Sequence, residues 1–163
     1  MTNLTTITVA KDYLNFAAAH FTIFSATSRE RLHGHGYRVA AELTAPIGED
    51  GLSFNYKIVK DLLLDECNKL DEYMLLPEQS PHLTIEDDGD YYRVQHDEDV
   101  MLFLKKDTQV LPLRNITIEE MAVMLLARVR AHPKLEGAPL TSLEVRVSSG
   151  TQQWAASRWE AAA

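Results

Sequence analysis

Six histidines occur in this chain, and three of them sit at a spacing that can do chemistry. Leu32-His33-Gly34-His35-Gly36-Tyr37 places two imidazoles at i and i+2, on one side of an extended segment. The intervening glycines remove side-chain bulk, so the backbone can approach a ligand closely. His20 lies at the end of an apolar, strand-like run, and a hairpin-like return of the chain would bring it to the pair. Three neutral imidazoles with an open fourth position are what a catalytic zinc ion needs. Spacing alone is equally compatible with ordinary surface or core histidines. His82, His96 and His132 have no neighbours at ligand spacing and read as surface residues.

The elements that must carry these residues follow from period and composition. Thr5 to Phe21 reads as one long strand with a bulge or bend at Lys11-Asp12. After a Ser/Thr/Arg-rich loop from Ser25 to Arg31, a second strand runs from Tyr37 to Thr44. From Asn55 to Leu70 the period is helical, with Val59, Leu62, Leu63 and Leu70 on one stripe and Cys67 beside them. Cys67 reads as a small core residue. Leu83 to Ile85 and Tyr91 to Val94 flank an acidic turn and predict a hairpin, with short strands at 100–104 and 109–113. Residues 78–113 read as a decorative insertion on a smaller core. Thr117 and Glu120 fit a capping box that opens a second helix, which Pro133 stops. Strands at 143–148 and 154–159 complete the order. The predicted fold class is α+β: ββααββ with an inserted hairpin region, a four-stranded antiparallel sheet and both helices on one face.

Length and charge restrict the possible roles. A chain of 163 residues fits one domain, 1–163, and is long enough to bury roughly 70% of its unfolded surface. A formal net charge of −8 repels phosphate backbones, so nucleic acid is not an expected partner. One cysteine excludes an intramolecular disulfide and a cysteine-rich zinc site. The N-terminal residues lack the pattern of a signal peptide and no apolar run reaches the ~18 residues of a membrane span. No membrane partner is expected, and a reducing cytoplasm is the expected location.

Phe16-Ala17-Ala18-Ala19-His20 followed by Leu32-His33-Gly34-His35-Gly36-Tyr37 resembles the zinc motifs of the 6-pyruvoyl-tetrahydropterin and 6-carboxytetrahydropterin synthases. The likeness continues at Gly51-Leu52-Ser53-Phe54-Asn55-Tyr56, at Leu70-Asp71-Glu72 and at Thr117-Ile118-Glu119. It implies a T-fold, with three subunits closing a β-barrel, two trimers stacking into a homohexamer, and active sites at subunit contacts. It implies a Zn2+ ion on His20, His33 and His35, a pterin substrate of the 7,8-dihydroneopterin triphosphate type, and an internal base.

Departures from the common pattern are informative. No cysteine base precedes the His-x-His pair, and Glu30 lies three residues before His33. This resembles the third type of the family, in which a glutamate replaces the cysteine and the side chain is cleaved to 6-hydroxymethyl-7,8-dihydropterin, a folate precursor. Asp71 and Glu72 match an acidic motif of that branch, Glu72 standing where other types carry the histidine of an Asp-His relay. Thr117 and Glu119 match a motif near the pterin, while Ser149 falls where a pterin-anchoring glutamate is usual. Asn55 also replaces a usual aspartate. The same departures fit a paralogue that binds a pterin or another heterocycle without the family's chemistry. Bland readings exist too: Glu30 as a loop acid paired with Arg29 or Arg31, Asp71 as a surface acid, Thr117 as a helix cap alone.

Overall fold

The computed structural model describes residues 3–162. Strands β1 (Leu4–Val9), β2 (Asn15–His20) and β3 (His33–Pro46) begin the chain, followed by helix α1 (Lys57–Leu70) and β4 (Tyr73–Pro77). Next come β5 (Thr84–Asp88), β6 (Tyr91–His96), β7 (Asp99–Leu104) and β8 (Thr108–Leu111). Helix α2 (Ile118–Arg130) and strands β9 (Ser142–Ser149) and β10 (Trp154–Glu160) complete it.

The long first strand expected over 5–21 is present as two. β1 pairs with the far half of β3, from Ala41 to Pro46, and β2 pairs with its near half, from His33 to Arg38. Between them the chain turns out at Lys11-Asp12, where Leu14 N–H donates to Lys11 O at 2.9 Å. β3 then pairs on its other side with β9, and β9 with β10, all antiparallel. With β1 and β2 standing for the one long strand expected, these five strands are the expected antiparallel sheet. β4 and β8 extend it beside β2 in parallel register, giving seven strands.

Alternation along β2, β3 and β9 sends Phe16, Ala18, Tyr37, Val39, Val145 and Val147 into one core with both helices. α1 buries Val59, Leu62, Leu63, Cys67 and Leu70, the stripe its period predicts. Burial also pushes the Cys67 thiol up to about 12, so it is an inert core group. α2 buries Met121, Ala122, Leu125 and Val129, with Ile118 partly covered. Glu66 of α1 accepts from Arg128 of α2 at 2.9 Å and from Lys69 at 2.5 Å, tying the helices together.

Half of the expected capping box forms. Thr117 Oγ1 accepts from Glu120 N–H at 3.4 Å, but the Glu120 carboxylate accepts from Arg114 instead of from the Thr117 backbone. The segment 78–113 is more than decoration. β5, β6 and β7 form a separate antiparallel sheet with a tight turn at Gly89, where φ is +62°. Val94, Ile85, Met101 and Phe103 of that sheet pack with Phe21 and Ile23, the residues that follow His20.

Candidate functional site

The position of the three histidines follows from sheet register. In the β2–β3 ladder His20 lies opposite His33, Ala18 opposite His35 and Phe16 opposite Tyr37. Directly paired residues share a face, and i, i+2 residues share a face, so His20, His33, His35 and Tyr37 converge. Ala18, a small residue, leaves room for the His35 ring beside it. Ring centroids lie 4.7 Å apart for His20–His33, 5.2 Å for His20–His35 and 4.7 Å for His33–His35. Phe16 stacks on Tyr37 at 4.9 Å, so the triad sits directly on the hydrophobic core. The glycines alternate with the histidines and face the other side of the sheet. They do not clear space for the ligand: a Cβ on Gly34 would meet only Ala18 O at 3.4 Å, and one on Gly36 nothing.

Two imidazoles are oriented by backbone carbonyls. His20 Nδ1–H donates to Ile116 O at 2.9 Å, and His33 Nδ1–H to Arg31 O at 2.7 Å. This leaves each Nε2 lone pair turned to the pocket, the arrangement by which outer hydrogen bonds prepare histidine ligands. His20 Nε2 is buried and has no partner, an orphaned acceptor of the kind a metal would satisfy. Burial lowers the His20 pKa, opposed by the Ile116 carbonyl and the Glu30 charge and reinforced by the neighbouring imidazoles, which favours the neutral ring. One ligand atom from each histidine lies within 4.8 Å of the others. The three residues are therefore fit to hold a metal ion.

Glu30 reaches the same pocket from the loop after β2. Its backbone N–H donates to Thr22 O at 2.8 Å, while one carboxylate oxygen accepts from Thr22 N–H at 2.9 Å. That oxygen, Oε2, is 3.8 Å from His33 Nε2. Partial burial raises the Glu30 pKa, but hydrogen bonding to Thr22 and the nearby His33 and His20 outweigh it, and the net shift is downward. The shift favours the carboxylate rather than a carboxylic acid tuned towards neutrality.

The pocket has a volume of about 410 Å³. Besides the triad, Tyr37 and Glu30, its walls include Thr117, Glu119, Ser149 and Gln153. A cluster of imidazoles, one carboxylate beside them and a second carboxylate at the wall can ligate a metal, move a proton and hydrogen-bond a polar ring. Residues 8–160 match the family described as 6-pyruvoyl tetrahydropterin synthase. The chain belongs to that family.

A Methanocaldococcus jannaschii protein, provisionally described as a 6-carboxy-5,6,7,8-tetrahydropterin synthase, is 26% identical over 149 residues, covering 89% of this chain and 90% of its own. The solved 6-pyruvoyltetrahydropterin synthase of Plasmodium vivax is 28% identical with a TM-score of 0.91, over 98% of this chain and 99% of that one. A variant of the same enzyme, with a catalytic glutamate replaced by alanine, aligns at 27% identity with the same TM-score and coverage. Family membership and these neighbours establish the T-fold and the coarse function, lyase chemistry in pterin biosynthesis.

Against this family background, seven of the nine residues expected from sequence line one pocket. Asp71 and Glu72 do not. Asp71 accepts from Ala17 N–H at 2.7 Å on the edge of β2, and Glu72 lines a shallower pocket across the sheet with Ala17, Gly34 and Met74. Glu72 is held at φ +64°, one of two non-glycine residues in the left-handed region among the described residues. His35 borders both pockets. Glu144 cannot replace the missing anchor, because it sits five residues from Ser149 and is bound to Arg146.

Tyr37, Thr22 and Gln153 line the pocket and were missed. Tyr37 had a signal, since it continues the His33, His35 alternation by two more residues. Its hydroxyl is buried without a partner, and burial followed by the Glu30 charge raises its pKa. Thr22 and Gln153 lie on irregular segments, where no period points to them. His96, expected at the surface, is 2% exposed, and its ring makes a hydrogen bond to the loop that carries Glu30.

Proposed function

We propose that the chain is a zinc-dependent lyase acting on the side chain of 7,8-dihydroneopterin triphosphate or a close relative, with Glu30 as its base. The observation that carries this reading is the placement of the Glu30 carboxylate beside three converging imidazoles. Further support comes from the Plasmodium vivax relative, in which a glutamate is a catalytic residue. His20, His33 and His35 are the proposed ligands. When bound, zinc polarises the substrate's side-chain hydroxyls and lowers their pKa.

The chain's own residues supply the rest. Glu30 takes the proton of the hydroxyl on the second side-chain carbon as that carbon becomes a carbonyl. The bond to the first side-chain carbon breaks, its electron pair passes into the ring system, and that carbon then takes a proton. The products are 6-hydroxymethyl-7,8-dihydropterin and a phosphorylated aldehyde. Thr117, Glu119 and Ser149 hold the ring, with Glu119 the carboxylate best suited to its amino edge. Asp71 and Glu72 complete the site of a neighbouring subunit in a homohexamer of two trimers. Their exclusion from the pocket of their own subunit supports that role. No nucleic acid or membrane partner is proposed, and a cytoplasmic location is proposed with the pathway. Among the described residues, no helix is long and apolar enough to cross a membrane.

The test is incubation of the zinc-loaded protein with 7,8-dihydroneopterin triphosphate, with pterin products identified by mass spectrometry. 6-Hydroxymethyl-7,8-dihydropterin is expected. A different pterin product would keep the lyase and reject the Glu30-type cleavage. The second reading, a pterin-binding paralogue without turnover, is favoured by Ser149, a neutral side chain at the anchor position. Tight pterin binding with no conversion at full zinc occupancy would select it.

A further inference from the structure

The loop from Phe21 to Arg31 is irregular, yet it holds Glu30 at one place in the pocket. Its local hydrogen bonds, Thr22 with Glu30 and Phe24 N–H to Ser28 O at 2.9 Å, close the loop on itself. Phe21 and Ile23 bury its start in a core cluster, and at its end Arg31 O accepts from His33. Polar contacts from two sides fasten the stretch between. On one side, Asn115 Oδ1 accepts from Ile23 N–H at 3.1 Å and Asn115 Nδ2 donates to Ile23 O at 2.8 Å. On the other, the contacts come from the strand ends that flank the turn between β6 and β7. His96 Nε2–H donates to Ser25 O at 2.9 Å, and Asp99 accepts from the Arg29 guanidinium at 2.7 Å.

Arg29 relays the second contact to the base. Its other terminal nitrogen donates to Glu30 O at 3.0 Å, and its guanidinium lies over the Phe21 ring at 5.2 Å. The pair is sheltered on the arginine side, which is 18% exposed, and open on the aspartate side, at 66%. The hollow between loop and turn is lined by Arg29 and Arg31 but also by Glu30, Asp97, Glu98 and Asp99. Those carboxylates make it a poor phosphate site, so the contacts read as fastening rather than as a subsite.

We propose that the β6–β7 turn is a clamp that positions Glu30, with His96 and Asp99 as positioning residues. The proposal rests on the reading of Glu30 as the base. It gives the inserted sheet a role in the reaction: a misplacement of ~1 Å in a catalytic group can cost on the order of a hundredfold in rate.

The experiment uses the full-length, zinc-loaded protein and the variants Asp99→Asn, Asp99→Glu and His96→Leu. Two readouts are taken: hydrogen exchange of the amides of residues 22–30, and kcat and KM on 7,8-dihydroneopterin triphosphate. For Asp99→Asn, loss of an ion pair predicts exchange about fivefold faster in that segment alone. kcat should fall about three- to tenfold, with KM and zinc content unchanged. Asp99→Glu should restore kcat to within about twofold, since it keeps the charge-assisted hydrogen bond to Arg29. His96→Leu leaves Ser25 O unpaired and should have the larger effect on both readouts. Unchanged exchange at 22–30 in both Asp99→Asn and His96→Leu overturns the clamp. Exchange accelerated across the whole chain, or zinc lost together with activity, also overturns it by showing a general structural role. If the unmodified protein converts no substrate, the lyase reading fails, and the clamp is then decided by the exchange pattern alone.

Discussion

The triad and Glu30 occupy one pocket but are built in opposite ways. His20, His33 and His35 stand on two paired strands, where register and pleat fix their directions. Glu30 stands on a loop whose central stretch is fastened by residues 70 to 92 places from their partners in sequence, Asp99, His96 and Asn115. A ladder of backbone hydrogen bonds tolerates the loss of any one side chain. A loop fastened by single contacts does not. Placement of the imidazoles should therefore be the robust property of this protein, and placement of Glu30 the fragile one.

The largest expected effect tests the robust half. His20→Ala removes a proposed ligand and should weaken zinc binding more than hundredfold, an effect larger than that of losing an outer-shell partner. Zinc titration with a competing chelator measures it, and wild-type affinity would remove His20 from the site. Glu30→Gln separates the halves. Turnover should drop by about 10²- to 10⁴-fold while zinc content is unchanged. A parallel loss of zinc would mean that Glu30 belongs with the ligands.

Phe16→Ala attacks the floor beneath the triad. Phe16 is 1% exposed and stacked on Tyr37, so its truncation should cost about 3–5 kcal/mol of stability by urea unfolding. Zinc release should coincide with unfolding, because the ligand strands and the core are the same strands. Thr117→Ala sharpens the comparison at the pocket wall. As a cap alone, Thr117 contributes about 1 kcal/mol and its loss leaves KM unchanged. A raised KM at equal zinc content assigns it to the substrate.

The smallest effect lies away from both halves. Burial raises the Glu66 pKa, but hydrogen bonds from Lys69 and Arg128 outweigh it and the net shift is downward. A carboxylate depressed in the folded state adds stability above its unfolded value and loses it as pH falls through the folded value. Unfolding free energy should thus decline below about pH 4.5, by on the order of 1 kcal/mol more in wild type than in Glu66→Gln. Equal slopes for the two proteins would remove this ion pair from the acid response.

Much of the site was legible before any fold was known. The His33, His35 alternation, the cap at Thr117 and the helical stripes are local patterns with short periods, and each appears where its period places it. Of the sheet's two parallel strands, β8 was legible as the short strand expected at 109–113, but β4 was not, nor was the parallel pairing of either. β4 and β8 are short, at five and four residues, and their pairing depends on chain segments far apart in sequence. His96 misled for the same reason. Nothing local distinguishes an exposed histidine from one whose ring is consumed by a carbonyl 71 residues away.

The sequence by itself determined which three histidines stand together as candidate ligands, the alternation that aligns them and the family to which the chain belongs. Side-chain direction on a strand is a two-residue property, and motif order survives without coordinates. Tertiary structure alone decided that His20 faces His33, that Glu30 is 3.8 Å from that ring, and that Asp71 and Glu72 fall outside the pocket. Those facts depend on strand register and on loop contacts between distant residues. They are set by how the core packs as a whole, and no short window of sequence contains them.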